Sequence, residues 1–455
     1  MKLPKDLIVS ISGVRGLSPS ILSPEVAYAL AWSFSRILPA GTIVVSRDSR
    51  KSGFTIKRAV LRALIDSGRK VLDADLIPLP TTQVAVEESG AVGAIDITAS
   101  HNPSEYNGLK FLNSLGIFID AKTLEILKEA YTAFSEKNIP TDFSIQSERR
   151  LSIVPLCEQS MEWHMERLEG ISGSGKKITV AVDAVNGAGS MIIPSLLKNL
   201  GCDVIHIATD PTADFPHTPE PNIENLRWTQ SALAKYTYDF CVVVDPDADR
   251  LVLIDENKNI LPEELTLPMV VEEKLASGAR GPVVINMSTS RVTEDICMKY
   301  GVPCVRSAVG EINVVQKMMA EKAIIGGEGN GGIIDPQIHL GRDSLVGIVH
   351  IIQMLRRQQK SLSKIAMEMP KYIMQKTKIN IPQNKTAKEL YELIGNKYPE
   401  AKQNKVDGLR LDWSDKWIHL RPSNTEPIFR IIGEAKNDKI LKDLINEVTI
   451  LCDTK

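Results

Sequence analysis

The sequence predicts an α/β protein, with parallel α/β layers over most of its length and an antiparallel α+β module at the C-terminus. Three observations carry this. The chain has 455 residues, more than one hydrophobic core supports, so three or four domains are expected. GTIVVSRDSR (41–50), KKITVAVDAVNGAGS (176–190) and GPVVINMSTSRV (281–292) each read as a strand ending in a polar turn and leading into a helix. The C-terminal segments GLRLDW, KWIHLRP and EPIFRIIGEA instead read as alternating strands.

The first unit runs from its strand through a helix to Ser67-Gly68, and a second strand starts near Lys70. The second has a helix to Leu200-Gly201 and the strand CDVIHIA; the third has a helix to Tyr300-Gly301 and the strand VPCVRSA. Irregular spacing marks diverged domains instead of solenoid repeats. The last helix is expected from about Lys439 to Leu451. The expected domains are 1–150, 151–257, 258–371 and 372–455, and the polar stretch Ser135–Arg150 reads as a linker.

Composition narrows the function. The hydrophobic fraction is 43% and the charged fraction 24%, ordinary for a soluble globular protein. With 54 basic and 56 acidic residues the formal net charge is -2, which disfavours nucleic acid as a partner. Six cysteines without CxxC pairing read as free thiols in a reducing compartment. The N-terminus lacks an apolar signal core, and no apolar run approaches the roughly 18 residues of a membrane span. A cytoplasmic protein with no membrane partner is expected, as a monomer or homodimer.

The chemistry is concentrated in five short motifs. Thr98-Ala99-Ser100-His101-Asn102-Pro103 places a serine after an apolar run. It reads either as a turn or N-cap serine or as a phosphate-carrying nucleophile. The second role needs exposure and donors, for which His101, Asn102 and Lys110 are near; Asn107-Gly108-Leu109-Lys110 reads as a tight turn that aims the lysine back. Asp245-Pro246-Asp247-Ala248-Asp249-Arg250 offers alternate carboxylates, hard oxygen ligands suited to Mg²⁺. An EF-hand is the competitor, with Glu256 at its twelfth position, but Arg250 stands where that loop needs glycine and the flanks are strand-like. Gly326-Gly327-Glu328-Gly329-Asn330-Gly331-Gly332 matches GxGxxG, yet no helical period follows, so it reads as a ligand loop in which Glu328 and Asn330 bond hydroxyls. In Arg421-Pro422-Ser423-Asn424-Thr425-Glu426-Pro427, Arg421, Ser423, Asn424 and Thr425 supply phosphate donors, with Arg430 behind. Ser12-Gly13-Val14-Arg15-Gly16 adds Arg15 as a further phosphate contact.

These motifs, in this order over nearly the whole chain, resemble the α-D-phosphohexomutase family. TASHNP resembles its phosphoserine loop, DPDADR its magnesium loop, GGEGNGG its sugar-binding loop and RPSNTEP its phosphate-binding loop. The resemblance implies three related α/β domains with mixed sheets plus a smaller C-terminal α+β domain around a central cleft. It implies that Ser100 carries a phosphoryl group, that Mg²⁺ is held by Asp245, Asp247, Asp249 and phosphorylated Ser100, and that Arg250 and Lys110 lie beside the reacting groups. Glu328 and Asn330 would read sugar hydroxyls, and the 421–425 residues would clamp the distant phosphate. The reaction implied moves phosphate between the 1- and 6-positions of a hexose phosphate through a hexose 1,6-bisphosphate, with Lys110 or His101 as the base. Many glucose- or mannose-selective relatives have GEMSGH in the sugar loop. Here Asn330 and Gly332 replace its serine and histidine, and Glu311 stands where some relatives carry histidine or aspartate. The GGEGNGG form looks like phosphoglucosamine mutases, which favours glucosamine phosphate over glucose or mannose phosphate.

Overall fold

In the computed structural model, residues 1–453 are described except 174, 381–384 and 423–427. All three expected units form. Ile43–Arg47, Gly53–Asp66 and Val71–Leu76 are the first strand, helix and strand; Thr179–Asp183, Gly189–Asn199 and Asp203–Ala208 the second; Val283–Asn286, Val292–Lys299 and Cys304–Ser307 the third. The two strands of each unit pair in parallel. The glycine that ends each helix is needed for its backbone: Gly68, Gly201 and Gly301 have φ of 82°, 73° and 66°. There the next residue's N–H returns to a carbonyl of the last helical turn, as Arg69 does to Leu64 at 2.9 Å.

Around each unit a mixed sheet is completed. The first sheet has seven strands, with Tyr106–Asn113 antiparallel to Gly93–Ile97 and Gly13–Leu17 antiparallel to Tyr106–Asn113. Ile153–Pro155 closes its far edge, parallel to Val71–Leu76. The second and third sheets have four strands each, and the fourth is an antiparallel sheet of five. The C-terminal helix runs Asp438–Asp453.

The motif loops share one topological place. A buried strand of each of the first three sheets turns back into an antiparallel partner: Gly93–Ile97 into Tyr106–Asn113, Phe240–Val244 into Leu251–Asp255, and Ile325–Glu328 into Gly332–Ile334. The connections contain Ser100, the three aspartates and Asn330. In the fourth sheet Lys416–Pro422 and Ile428–Ala435 flank 423–427 in the same manner.

One apolar core runs through the second and third sheets, joining Val180, Val242, Ile285 and Val349. A second joins the first sheet to the third, through Val44, Ala94, Val284 and Ile312. The fourth sheet has its own core. A polar fastener lies beside the first three. Asp343 caps the helix Ser344–Gln358 with Oδ1, while Oδ2 accepts from His164 Nε2 at 2.9 Å and His339 Nε2 at 3.1 Å. His164 Nδ1 lies 3.0 Å from Thr81 Oγ1 on the helix Leu79–Ser89. Burial opposes the Asp343 charge, but the two histidines hold its carboxyl below the usual carboxylate range. Its contribution to stability is therefore present above the unfolded value near pH 4 and lost as pH falls through the lowered one. His164→Ala is expected to cost about 2–4 kcal/mol, read by denaturant unfolding, because it leaves buried polar groups short of a partner. Among the described residues no helix is long and apolar enough to cross a membrane.

Candidate active site

The serine loop is held by its backbone. Ser100 has φ 51°, a left-handed conformation unusual for serine. Its N–H donates to Thr98 Oγ1 at 2.9 Å, and Thr98 Oγ1 donates to Asp48 Oδ2 at 2.7 Å. Arg50, ion-paired with Asp48, donates to the carbonyls of Ser100 at 2.7 Å and Asn102 at 2.5 Å. Asn102 Oδ1 accepts from Arg15 at 3.1 Å. The expected turn at 107–110 is not one: these residues lie inside the strand Tyr106–Asn113. The lysine reaches the site because the strand passes beneath the loop, and alternation along it aims Lys110 at the aspartates.

Ser100 is not exposed, as the sequence reading required; it is 1% accessible. The acidic loop covers it. Its Oγ lies 3.1 Å from Asp245 Oδ2 and 3.2 Å from His101 Nδ1, so it is buried against polar groups and not in apolar packing.

The acidic loop is the corner of a β-hairpin, which excludes the helix–loop–helix frame of an EF-hand. Ala248 takes φ 55°, and Ala188 N–H donates to the Pro246 carbonyl at 2.8 Å, bracing the corner. Asp245 Oδ1 accepts the N–H groups of Asp249 and Arg250, both at 3.2 Å. Lys110 Nζ lies 2.6 Å from Asp247 Oδ2 and 3.4 Å from Asp249 Oδ2. Arg250 Nε is 3.9 Å from Asp245 and 3.7 Å from Asp249.

The three buried carboxylates face Lys110, Arg250 and, at Asp249, Arg342, and still repel one another across the corner. Burial, then Asp247 and Asp249, push the Asp245 carboxyl well up. For Asp247, burial is outweighed by Lys110 and its carboxyl goes down; for Asp249 the same burial is outweighed chiefly by Arg342. One oxygen from each aspartate lies within 4.8 Å of the others, and Asp247 Oδ1 and Asp249 Oδ1 are buried without a hydrogen-bond partner. Three clustered carboxylates, two of them with an oxygen short of a hydrogen-bond partner, fit a hard divalent cation.

The glycine-rich segment is a tight hairpin. Gly331 has φ 85°, and a Cβ there would meet the Leu251 carbonyl oxygen at 2.3 Å, so only glycine lets this hairpin seat against the end of the acidic loop. Glu328 Oε1 accepts from Asn286 Nδ2 at 2.8 Å and Gly310 N–H at 3.0 Å; Oε2 accepts from Arg342 at 2.9 Å. Glu311 accepts from Arg342 at 2.9 Å and Gln83 at 3.3 Å. Asn330 borders the same cleft. Arg421 and Arg430 are register partners on neighbouring strands and both border it, Arg421 steadied by Asp407 at 3.0 Å. Ser423, Asn424 and Thr425 lie outside the described residues. The cleft, about 710 Å³, is lined by Arg15, His101, Lys110 and Arg250 on one side and by Glu311, Glu328, Arg421 and Arg430 on the other.

Three domains offer a loop each to a shared cleft and the fourth offers Arg421 and Arg430, and comparison with known proteins identifies those domains. Four family profiles match in order: phosphoglucomutase/phosphomannomutase alpha/beta/alpha domain I over residues 7–138, domain II over 164–258, domain III over 266–372, and the C-terminal domain over 377–451. The chain belongs to the phosphoglucomutase/phosphomannomutase family. It is 33% identical to a phosphoglucomutase/phosphomannomutase of Thermococcus kodakarensis over 95% of both chains. It is 30% identical to a probable phosphoglucosamine mutase of Methanopyrus kandleri over 96% of this chain and 95% of that one. A family structure from Burkholderia thailandensis shares the fold with a TM-score of 0.82 at 23% identity, covering 98% of this chain and 97% of that one. The chain is therefore an enzyme of the phosphomutase class.

Within this family site, two residues escaped sequence reasoning. Arg50 lies in the RDSR turn at the end of the first strand, where its pairing with a serine loop fifty residues on has no local signal. Arg342 lies just before a helix cap and reaches three carboxylates at once. The two candidate bases also separate. Burial lowers the Lys110 ammonium, but Asp247 and Asp249 outweigh it and raise it, so Lys110 stays a cation. Burial, then Arg250 and Arg15, push His101 down to about 2, so His101 stays neutral.

Proposed function

We propose that this enzyme interconverts hexose 1-phosphate and hexose 6-phosphate through a phosphoserine at Ser100 and a hexose 1,6-bisphosphate, with glucosamine phosphate as substrate. The observation that carries the reading is the contact between Ser100 Oγ and Asp245, with Lys110 between Asp247 and Asp249. It puts a hydroxyl, a cation site and an ammonium around one point.

Asp245, Asp247 and Asp249 would hold Mg²⁺ together with an oxygen of the phosphorylated serine. The ion supplies charge withdrawal at phosphorus, which makes the serine oxygen a better leaving group. Lys110 stays protonated and neutralises charge that develops on the transferring group. A sugar hydroxyl forms the new bond to phosphorus as the bond to Ser100 Oγ breaks, and its proton ends on Ser100 Oγ, which neutral His101 steadies by a hydrogen bond at Nδ1. Arg15 and Arg250 orient the phosphoryl oxygens from the cleft side. Glu328, Asn330 and Glu311 bond sugar hydroxyls, and Arg421 with Arg430 clamps the phosphate that is not reacting, aided by Ser423, Asn424 and Thr425. The bisphosphate turns over in the cleft and returns its other phosphate to Ser100. Charged donors with little apolar shape selectivity suit two opposite ligand orientations.

The preference for glucosamine phosphate is supported by a sugar hairpin without histidine and by two carboxylates, Glu311 and Glu328, facing the ligand space. Both are already paired with Arg342, and an ammonium shares only the lone pairs this leaves. Glucose or mannose phosphate is the second reading, favoured by the name of the Thermococcus relative. The enzyme is read as cytoplasmic, acting as a monomer or homodimer. With Mg²⁺ and trace bisphosphate, turnover of glucosamine 1-phosphate is expected to exceed that of glucose and mannose 1-phosphates. Equal rates on all three would remove the preference. Intact-mass measurement is expected to find a fraction carrying one phosphate, located to Ser100.

A further inference from the structure

We propose that Arg342 is a positioning residue that locks the sugar hairpin to the acidic loop, a role that builds on the phosphohexomutase reading above. Its guanidinium reaches three carboxylates on three separate elements. One terminal nitrogen donates to Asp249 Oδ2 at 2.5 Å, the other to Glu328 Oε2 at 2.9 Å, and Nε donates to Glu311 Oε2 at 2.9 Å. All three acids are buried, and Arg342 is 8% accessible at the cleft wall. A planar fork with five N–H donors satisfies three acceptors at once, which a lysine ammonium at the end of a flexible stem does not do with fixed geometry.

The backbone around it is built for this reach. Asp343, the next residue, donates its N–H to the Ile333 carbonyl at 2.8 Å and caps the helix Ser344–Gln358. The hairpin in turn leaves room for the arginine stem. A Cβ at Gly332 would fall 2.3 Å from Arg342 Cδ, so a side chain at the end of the hairpin and this arginine conformer exclude one another.

The consequences reach both halves of the site. Glu328 is fixed in one orientation by Arg342, Asn286 and Gly310 together. Asp249 Oδ2 is shared by Lys110 and Arg342, which leaves Oδ1, without a hydrogen-bond partner and 3.7 Å from Arg250 Nε, for a cation. Arg342 thus holds the carboxylates of the two loops in one frame and at the same time competes with a bound cation for Asp249. Loss of its charge has opposite effects on the two functions, since cation binding strengthens while turnover falls. A residue needed only for folding would weaken both.

The full chain is tested as wild type, Arg342→Met, Arg342→Lys and Gly332→Ala. Mn²⁺ binding is titrated by electron paramagnetic resonance without sugar phosphate, and kcat and KM are measured on the preferred hexose 1-phosphate. In Arg342→Met, the Mn²⁺ Kd is expected to fall at least fivefold and kcat at least thirtyfold. In Arg342→Lys and Gly332→Ala the charge remains but the fork is lost or displaced. There the Mn²⁺ Kd is expected within threefold of wild type and kcat at least tenfold down. Unchanged or weaker Mn²⁺ binding in a folded Arg342→Met overturns the proposal, and so does wild-type kcat in Arg342→Lys. If Arg342→Met does not fold, the other two variants decide by their kcat. A wild type that shows no mutase turnover, with Mn²⁺ still tighter in Arg342→Met, sinks the functional reading and upholds the Arg342–Asp249 lock.

Discussion

Ser100→Ala is expected to lower mutase turnover by at least about 10⁴-fold, the scale on which loss of a covalent nucleophile is felt. The other groups around this point have other work: the Lys110 ammonium is paired with Asp247 and Asp249, and the carboxylates of Asp245, Asp247 and Asp249 form the cation site. The fold should survive. The backbone of residue 100 is held through Thr98 and Arg50 by its own N–H and carbonyl, neither of which the substitution removes. Only the hydroxyl's contacts with Asp245 and His101 are lost, each worth about 1 kcal/mol. Coupled assay of turnover, thermal unfolding and Mn²⁺ titration read these effects separately. Residual activity above a few per cent of wild type, with the substitution verified by mass, would end the phosphoserine mechanism.

Asp245→Asn has the second large effect, and its sign differs between activity and stability. The carboxyl of Asp245 is pushed up by burial and by Asp247 and Asp249, so in cation-free protein it is an unfavourable charge at neutral pH. The folded state then binds more protons than the unfolded one, and stability falls as pH rises above the unfolded value near 4. Asparagine keeps an oxygen for the N–H groups of Asp249 and Arg250 and removes the charge. Cation-free Asp245→Asn is expected to be more stable than wild type at pH 7 by about 1–2 kcal/mol, the scale on which replacing buried charge is felt. Its turnover is expected to drop at least about 10³-fold, since one of three cation ligands is gone. Adding Mg²⁺ should stabilise the wild type and leave the variant nearly unmoved. Denaturant melts of both proteins at pH 5 and pH 7, with and without Mg²⁺, check the stability expectations, and a coupled assay checks the turnover. A wild type that gains stability on going from pH 5 to pH 7 without Mg²⁺ would contradict the charge-repulsion account.

Much of the site was legible because its chemistry is local. A serine between a buried strand and Asn-Pro, aspartates on alternate positions, and a glycine run around Glu328 are short-range patterns. Strand, turn and hairpin preferences keep such patterns intact in the fold. The EF-hand alternative was separable for the same reason, since FCVVV and LVLID form the strands their β-branched residues favour. The misreadings were of another kind. Asn107-Gly108 has the composition of a turn, yet it runs as a strand because pairing with Gly13–Leu17 on one edge, and the Thr98 N–H to the Gly108 carbonyl on the other, override the local preference. Ser100 reads as a surface loop residue, yet a loop nearly 150 residues on in the chain covers it.

The chain alone determined the order of the strand–helix–strand units, their glycine stops, the antiparallel tail and the residues able to carry phosphoryl chemistry, because backbone conformation and side-chain type act over a few positions. Only the tertiary structure decided that the motif loops occupy equivalent hairpin corners, that Arg50 clamps the serine backbone, and that Arg342 gathers Asp249, Glu311 and Glu328. Those facts depend on charges brought to within 3 Å across 14 to 93 residues. Such pairing leaves no periodicity in sequence, and is set by how the sheets pack through their shared apolar cores.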